Sequence, residues 1–402
     1  MSSEVPDEWR VAKLVEVAAL SGGTTPSKTN DAYWLEGTVP WATPTDITSL
    51  PPGKTRIAAT ERYVAEVALA ECSLKLNPPN TVLMTSRATI GYAAINDVPM
   101  ATNQGFLNFN CSENCDPEFL CHWLNSSRSL LTAAAGGSTF KELSRSTAKL
   151  LPILVPPLHE QRRIAEVLRS VGQVIQCVEQ NVRQSLRLWE TLVEARIWLP
   201  AFEDSMLAPL SKSIRASDYG VNAPLTDEAV GTAVLRMGNL QGGQIDLTNL
   251  KWGVISDEEA KPLRLRDGDI LFNRTNSRDL VGKVAIVRGE PDYLYASYLV
   301  RLSIDQSVSD PYFVFAAMNS RRGQAALKTI ATPGVSQSNI NPTNLKKLPF
   351  PLFSLAAQRT VAEELRAVEN ARLASIAELS TLQATFSHLS SQLLSGRIRV
   401  PA

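Results

Sequence analysis

Two arginines, Arg87 and Arg274, each follow a short apolar run and stand in a polar turn of the chain. A guanidinium group can donate two parallel hydrogen bonds to a guanine base or to a phosphate, so an arginine in an exposed turn is suited to contact nucleic acid. The same side chain can also form an ion pair within its own domain. Both arginines are therefore candidate DNA contacts, with an internal ion pair as the alternative.

Amide and hydroxyl side chains occupy similar turns in both halves of the chain. They can read base edges or bind phosphate oxygens, although residues of these types often hydrogen-bond only within their own turn. The second role is the commoner one for any single residue, so the prediction of DNA contact applies to the whole set. The set comprises Thr43, Thr45, Asn103, Gln104, Ser138, Thr139, Asn239, Asn273, Thr275, Ser336, Gln337 and Asn339.

The tetrapeptide Asn77-Pro78-Pro79-Asn80 is a candidate catalytic motif. In amino-group DNA methyltransferases, Asn-Pro-Pro is followed by an aromatic residue that stacks on a flipped base. Asn80 cannot stack in this way, and the sequence has no evident glycine-rich turn for S-adenosylmethionine and no phosphate-binding loop. We expect a chain without catalytic residues or cofactors, and a minimal methyltransferase at residues 77–80 is the enzymatic alternative.

An internal repeat sets the arrangement of these residues. Residues 80–95 match residues 269–286, and each segment reads as a strand, a polar turn and a second strand. Residues 116–126 match residues 310–320, and each segment begins with an aspartate ahead of a proline in the first turn of a helix. The chain is therefore predicted to contain two copies of one α+β unit.

The repeat extends to residues 151–162, which match residues 348–359. The separation between matching residues grows from 187 for Arg87 and Arg274 to 197 at the end of the repeat, as short loop insertions would produce. In this alignment the two arginines occupy the same place in the two copies.

Three cysteines and a histidine lie close together and could be ligands of zinc, namely Cys111, Cys115, Cys121 and His122. The repeat argues against this, because Cys121 falls opposite Phe315 and His122 falls opposite Ala316. An apolar residue fills these positions equally well. We predict no metal site.

A long helical pattern follows each copy, over residues 158–200 and 355–396. Apolar residues recur at spacings of three and four, a pattern typical of a coiled-coil seam, with one stutter in the first helix. An isolated helix with so few heptads would be unstable, so we expect the two seams to pack on each other. The alternative is that each helix lies on its own domain.

Composition limits the class of protein. With 402 residues, 44% of them hydrophobic, the chain can form two or three domains. It has no long apolar run and no signal-peptide pattern, and its five cysteines are an odd number, so we expect a cytoplasmic protein with free thiols and no membrane contact. Forty basic and 40 acidic residues give a net charge of zero, which argues against autonomous DNA binding. Either the basic residues cluster on one face or a partner contributes phosphate contacts.

Several segments together resemble the specificity (S) subunits of type I restriction-modification systems. In the first half they are the Ser-Gly-Gly-Thr-Thr-Pro-Ser run at 21–27 leading to Tyr33-Trp34, the Val-Pro-Trp-Ala-Thr-Pro-Thr-Asp-Ile run at 39–47, and the Pro-Pro-Leu-His-Glu-Gln-Arg-Arg-Ile run at 156–164. In the second half they are Tyr219-Gly220, residues 234–240 and residues 348–359. The resemblance covers nearly the whole chain. The second half departs from the pattern because it lacks the run at 21–27, which leaves residues 201–233 without an assigned role.

The resemblance implies an α+β fold with two target-recognition domains, residues 1–157 and 201–354, each reading one half of a bipartite site in double-stranded DNA. The helices at 158–200 and 355–396 would pair as an antiparallel coiled coil, followed by a tail at 397–402.

By the same resemblance, the helices would dock two methylation (M) subunits, to which restriction (R) subunits can attach. The interface residues expected at the helix bases are Gln161, Arg162, Gln358 and Arg359. A coiled-coil scaffold whose domains bind protein or sugar is the non-enzymatic alternative.

Overall fold

The computed structural model describes residues 6–51, 53–137, 141–203, 205–334 and 337–400. The chain divides into two compact units: unit 1 is Met1–Asn181 with Ser375–Ala402, and unit 2 is Val182–Ala374. Each unit combines strands with helices, so the fold is of the mixed α and β class that the sequence predicted. No helix within the described ranges is both long enough and apolar enough to cross a membrane.

Unit 1 contains short strands, short helices and parts of two long helices. Its strands are β1 (Arg10–Lys13), β2 (Ala18–Gly22), β3 (Val39–Ala42), β4 (Arg56–Ile57), β5 (Tyr63–Val64), β6 (Val82–Thr85), β7 (Ala93–Asn96), β8 (Ala101–Thr102), β9 (Phe106–Cys111) and β10 (Pro152–Val155). Its short helices are α1 (Leu14–Val17), α2 (Pro44–Thr48), α3 (Glu66–Glu71), α4 (Pro117–Ser126), α5 (Arg128–Ala134) and α6 (Arg145–Leu150). The first long helix, α7 (Leu158–Val193), begins in this unit.

The main sheet of unit 1 has the strand order β2-β9-β6-β7-β4. Its pairs are antiparallel except for β4 and β7, which run parallel. All four residues of β6 are buried, and its side chains alternate between two apolar clusters: Val82 and Met84 enter one, and Leu83 enters the other. Apolar layers therefore cover both faces of this strand, which explains its unbroken apolar sequence.

The helix α4 packs on this sheet and begins where the sequence places its cap. The Asp116 carboxylate accepts hydrogen bonds from the backbone N–H groups of Glu118 and Phe119, each at 3.0 Å, and Pro117 occupies the first turn. These contacts satisfy N–H groups that a helix start leaves without partners. The residues from Phe119 to Leu124 are all buried.

Unit 2 also contains short strands, short helices and parts of the two long helices. Its strands are β11 (Leu207–Pro209), β12 (Ile214–Tyr219), β13 (Thr232–Leu235), β14 (Leu240–Gln241), β15 (Gln244–Ile245), β16 (Lys251–Gly253), β17 (Ile270–Asn273), β18 (Thr275–Asn276), β19 (Val284–Ile286), β20 (Tyr293–Tyr295), β21 (Leu299–Ile304), β22 (Thr332–Pro333), β23 (Ser338–Asn339) and β24 (Pro349–Pro351). Its short helices are α8 (Leu199–Glu203), α9 (Asp257–Ala260), α10 (Pro311–Asn319), α11 (Arg321–Thr329) and α12 (Pro342–Lys346). The second long helix, α13 (Leu355–Leu394), begins here and ends in unit 1.

The main sheet of unit 2 has the order β12-β21-β17-β19, with every pair antiparallel. The helix α10 begins at Asp310, whose carboxylate accepts from the N–H groups of Tyr312 and Phe313 at 2.9 and 3.0 Å. A further sheet pairs β13 with β16 in antiparallel and with β20 in parallel orientation.

The long helices contact each other within each unit. In unit 1, Glu160 of α7 accepts from the guanidinium of Arg399, just beyond the end of α13, at 2.6 and 2.8 Å. In unit 2, Arg196 follows α7 in one turn of π-helix and donates to Glu364 of α13 at 2.9 and 3.1 Å. The start of α7 therefore meets the end of α13 in unit 1, and the end of α7 meets the start of α13 in unit 2.

Candidate nucleic-acid interface

Several candidate residues of unit 1 lie at the end of β6. The backbone N–H of Ser86 donates to the carbonyl of Gly105 at 2.8 Å, and the N–H of Asn103 donates to the carbonyl of Ala42 at 3.0 Å. These bonds hold the turn at 103–105 between the end of β6 and the end of β3. Thr43, Asn103, Gln104 and Arg87 are thereby brought to one edge of the unit.

The side chains at this edge have two different roles. The Asp46 carboxylate accepts from the N–H and hydroxyl of Thr43 at 2.7 and 2.6 Å, and the Asn103 amide oxygen accepts from the N–H of Gly105 at 2.8 Å. Thr43 and Asn103 therefore shape their own turns. Thr45 is exposed, and Gln104 is exposed with a contact to the Thr25 hydroxyl, so these side chains can reach a ligand.

Arg87 is half-exposed and forms an ion pair with Glu142 at 2.9 Å. Glu142 also pairs through its backbone with Gly136, by two hydrogen bonds of 3.0 and 3.1 Å. The candidates Ser138 and Thr139 lie outside the described residues. The internal ion pair that was the alternative is thus present, and the Arg87 side chain keeps about half of its surface exposed.

In unit 2, Arg274 lies over an aromatic ring. Its guanidinium carbon is 4.9 Å from the centroid of Tyr219, and about half of the Tyr219 side chain is exposed. The backbone N–H of Arg274 donates to the carbonyl of Tyr298 at 3.2 Å, and the Nε atom of Arg274 has no partner among the described residues. An arginine and an exposed aromatic ring at one edge form a surface suited to bases and phosphates.

Two asparagines of unit 2 are buried. Asn239 holds its loop together: its amide nitrogen donates to the carbonyls of Asp246 and Thr248 at 2.8 and 3.0 Å, and its oxygen accepts from the N–H of Arg236. Asn273 has no exposed surface, and neither polar atom of its side chain has a partner in the described part of the chain. Contact between Asn273 and DNA would require this end of β17 to open.

The remaining candidates of unit 2 lie on a small sheet with the order β18-β23-β22. Thr275 pairs with Asn339, whose amide donates to the Thr275 hydroxyl at 3.3 Å. Gln337 is exposed, and its carbonyl accepts from Gly334 at 2.8 Å. Ser336 lies outside the described residues.

The structure corrects the alignment of the two arginines by one residue. The N–H of Leu143 donates to the carbonyl of Ser86 at 2.9 Å, and the N–H of Ile340 makes the same bond to Arg274 at 2.8 Å. Arg274 therefore corresponds to Ser86, and Arg87 corresponds to Thr275. The sequence alignment matched identical side chains, whereas hydrogen bonds between distant segments determine the register.

Tyr219 was not among the sequence candidates. It lies 55 residues before Arg274 in the chain, and only the pairing of β12 with β21 and of β21 with β17 brings the two together. No local pattern marks such a contact. An aromatic residue at the end of a strand, next to a glycine, is the weak signal that was available.

The predicted interface glutamines have internal roles. The amide oxygen of Gln161 accepts from the N–H of Asp116 at 2.8 Å, and its nitrogen donates to the carbonyls of Asn114 and Pro156 at 3.0 and 2.9 Å. Gln161 has no exposed surface, so any effect on docking would be indirect.

Gln358 repeats this arrangement in unit 2, with bonds to Asp310, Val308 and Phe353 between 2.8 and 3.1 Å. Arg162 and Arg359, one residue further along each helix, are exposed and line grooves of about 470 and 460 Å³ respectively.

Two of the possible metal ligands, Cys121 and Cys111, have raised thiol pKa values. Cys121 is buried in α4 and donates to the carbonyl of Ala93 at 3.4 Å, and burial raises its pKa to about 12. A hydrogen bond with Cys115 and burial raise the pKa of Cys111. No group of three or more metal-binding side chains occurs in the part of the chain that the structure describes.

The Asn-Pro-Pro-Asn segment is built into the fold. Asn77 is buried, its backbone pairs with Met100 in both directions, and its amide also donates to the Met100 carbonyl at 3.0 Å. Asn80 has a left-handed backbone (φ 66°), and its side chain accepts from Arg56 at 2.6 Å. The Asn77 amide is therefore committed to the protein and is not free to bind a base.

Comparison with known proteins shows which family the chain resembles. Residues 6–187 match the family model described as type I restriction modification DNA specificity domain. The specificity subunit of the type I restriction enzyme MjaIX from Methanocaldococcus jannaschii is 39% identical over 43% of this chain, and the match spans only 40% of that protein. The EcoKI specificity subunit of Escherichia coli is 22% identical over 92% of this chain and 83% of that protein.

A solved structure shares the fold. The S subunit of a type I restriction-modification system from M. genitalium superposes with a TM-score of 0.61 at 15% identity, covering 98% of this chain and 97% of that one. The curated relatives are named specificity subunits, which are the non-catalytic component of type I restriction systems. Residues 6–187 thus match the type I restriction modification DNA specificity domain family, and the chain is similar over most of its length to the specificity subunits of type I restriction enzymes.

Proposed function

We propose that this chain is the sequence-specific DNA-binding subunit of a type I restriction-modification complex. In this proposal, residues 1–157 and 201–354 are two recognition domains that each read one half of a bipartite site in double-stranded DNA. The chain itself is not an enzyme. The observation that carries the proposal is the match of residues 6–187 to a DNA specificity domain, together with the recurrence of its internal bonding pattern in unit 2.

Matching hydrogen bonds support an internal duplication. The N–H of Thr24 donates to the carbonyl of Thr102 at 2.9 Å in unit 1, and Val221 makes the same bond to Tyr295 at 2.8 Å in unit 2. Gly23 and Gly220 precede these donors, and at each a Cβ atom would lie within about 2 Å of a backbone oxygen. Gly220 is therefore the counterpart of Gly23, in a region where the sequences show no visible match.

The contacts of the long helices support an antiparallel pairing. Ile164 and Leu168 of α7 share an apolar cluster with Leu393 of α13 in unit 1. In unit 2, Val193 of α7 shares a cluster with Leu365 of α13. We therefore propose that residues 158–200 and 355–396 form an antiparallel coiled coil, and that residues 397–402 are a tail.

The exposed arginines at the helix bases are the proposed docking points for two methylation subunits. Restriction subunits would then attach to the methylation subunits. Arg162 and Arg359 are both exposed, and neither forms an ion pair within the described ranges. The net charge of zero fits a subunit whose partners supply part of the phosphate contacts. Such a complex would act on DNA in the cytoplasm.

Reconstitution tests this proposal. The chain is coexpressed with the methylation subunit of its host, and the purified complex is titrated against DNA fragments that carry or lack a site found by methylation mapping. Tight binding to the site that requires both halves supports the proposal. Equal affinity for all fragments at physiological salt would contradict it, since nonspecific phosphate contact alone would then account for binding.

A further inference from the structure

A cavity of about 570 Å³ lies in unit 1. Its volume is in the range of sites for small organic molecules. Apolar side chains from four segments form much of its lining, including Ile47, Tyr92, Ile175 and Phe386. No part of the proposed function uses this space.

The charged side chains in the lining are all basic. They are Lys54 and Arg128, and among the described residues no aspartate or glutamate lines the cavity. Arg128 is held in place, because its Nε donates to the carbonyl of Asn125 at 3.0 Å and its guanidinium carbon lies 4.4 Å from the centroid of Tyr92. A fixed guanidinium and an exposed ammonium, with no carboxylate among the described lining residues, favour an anionic group.

His122 supplies a polar group in the wall of the cavity. Its side chain is almost fully buried, and its Nε2 atom has no hydrogen-bond partner among the described residues. Burial, with a smaller contribution from Arg169, lowers the pKa of His122 to about 4, so the ring is neutral at pH 7. A buried polar atom without a partner destabilises a protein, and such atoms are uncommon in native structures.

Unit 2 carries different residues at the positions that correspond to three residues around this cavity. The helix α10 carries Ala316 where α4 carries His122, and Ala316 is completely buried. Matching residues of the two long helices are 197 positions apart, so Trp189 is the counterpart of Phe386. Trp189 is buried in unit 2. By the same separation, Glu369 is the counterpart of Gly172 in α7. Glu369 is buried, and its carboxylate accepts a hydrogen bond from the amide of Gln244 at 2.9 Å.

Two glycines let a loop of unit 1 close the cavity against α7. A Cβ atom on Gly53 would lie 2.5 Å from the Cα of Gly172, and a Cβ atom on Gly172 would lie 2.8 Å from the carbonyl oxygen of Gly53. Gly53 also has a left-handed backbone (φ 77°). The close approach requires glycine at both positions, and it holds the loop that carries Lys54 beside the helix.

We propose that this cavity binds a small organic anion with an aromatic body, of about the size of a mononucleotide. Lys54 and Arg128 hold the anionic group, the apolar walls bury the ring, and Nε2 of His122 provides one hydrogen bond to a polar atom of the ligand. The proposal is independent of DNA recognition, because none of these residues belongs to the proposed DNA-contacting set.

The test uses the full-length chain and two probes, 8-anilinonaphthalene-1-sulfonate followed by fluorescence, and AMP as its competitor. Adenosine, which has the same aromatic body without the charge, serves as the uncharged control ligand. The variant Phe386→Trp introduces the residue of unit 2 and fills the cavity. Lys54→Gln with Arg128→Gln removes the charges, and Lys141→Gln with Arg145→Gln removes two exposed charges elsewhere in unit 1 as the matched control.

We expect saturable binding at one site, displaced by AMP and at least about tenfold less well by adenosine, since a hydrogen-bonded charge contributes about that factor. Phe386→Trp and the double variant of Lys54 and Arg128 should each weaken binding by about tenfold or more. The double variant of Lys141 and Arg145 should bind as the wild-type chain does. If Phe386→Trp lowers the melting temperature, His122→Ala replaces it. Binding that none of the cavity variants weakens, or no saturable binding by the wild-type chain, would overturn the proposal.

Discussion

Gln161 accepts a hydrogen bond from the backbone N–H of Asp116 at 2.8 Å, although the two residues are 45 positions apart in the chain. Asp116 caps the helix α4, and Gln161 lies in the first turn of α7, so this bond fixes the start of the long helix to the cap of the domain helix. The corresponding bond between Gln358 and Asp310, at 3.1 Å, does the same in unit 2.

The first prediction concerns stability. Gln161→Met retains the length of the side chain but leaves one buried N–H and two carbonyls without partners. We expect a loss of about 2–4 kcal/mol in the free energy of unfolding, measured by urea titration. Gln173→Met changes an exposed glutamine of the same helix and should cost less than about 0.5 kcal/mol. Equal effects of the two substitutions would contradict this role of Gln161.

The second prediction concerns pH. The folded-state pKa of His122, about 4, lies below its usual value of 6.5. As the pH falls, His122 therefore takes up a proton in the unfolded chain before it does so in the folded chain. The contribution of neutral His122 to the free energy of unfolding is complete above about pH 6.5 and is lost as the pH falls towards 4. His122→Ala should reduce the fall in unfolding free energy between pH 7 and 4.5 by about 2–3 kcal/mol. His388→Ala, at an exposed histidine, should leave the fall unchanged.

The third prediction separates the two halves of the DNA site. Arg87→Ala should weaken binding of the complex to DNA through one half-site and Arg274→Ala through the other, each by about 1–3 kcal/mol if the contact is to a base. Fragments mutated in one half at a time measure this. Tyr219→Ala should act on the same half-site as Arg274→Ala, because the ring supports the guanidinium.

Two controls accompany these substitutions. Glu142→Gln breaks the ion pair of Arg87, so a Glu142→Gln protein that behaves like Arg87→Ala would assign Arg87 a purely internal role. Arg145→Ala and Arg321→Ala remove exposed arginines, one in each unit, and should leave sequence preference unchanged. A uniform loss across all DNA sequences would mean that the arginines contact phosphates.

The fourth prediction concerns assembly. Arg162→Glu and Arg359→Glu should each release one methylation subunit, and the double variant should release both, because a carboxylate would face the groups that bound the guanidinium. Mass measurement of the purified complex counts the subunits. Arg187→Glu, on the exposed face of the first long helix, is the control. Retention of two methylation subunits by the double variant would exclude these residues as docking points.

The sequence predicted the parts of the fold that depend on local pattern. The aspartate-proline starts of two helices and the long apolar stripes correspond to α4, α10, α7 and α13, since capping and helical periodicity act over a few residues. Parts that depend on distant segments were not predictable in this way. The counterpart of Gly23 in unit 2 became visible only through its hydrogen-bonded neighbours, because Gly220 lies in an otherwise unrelated sequence.

For the candidate DNA-contacting residues, too, the sequence predicted local features but not those that depend on distant segments. Polar residues in turns were recognisable, but the sequence could not tell an exposed side chain such as Gln104 from a buried one such as Asn273. Burial depends on which strands meet at the turn. The pairing of Tyr219 with Arg274 depends on the order of strands in the sheet, which no single segment encodes.

The central claim is that this chain gives a type I complex its bipartite DNA specificity, and mapping of methylated adenines in host DNA tests it most directly. A strain with the intact chain should show a methylated motif of two short sequences separated by a fixed number of unspecified bases. Deletion of the chain should abolish methylation at that motif. Arg274→Ala should relax the sequence preference in one half of the motif and leave the preference in the other half unchanged. A methylation pattern unchanged by the deletion would contradict the claim.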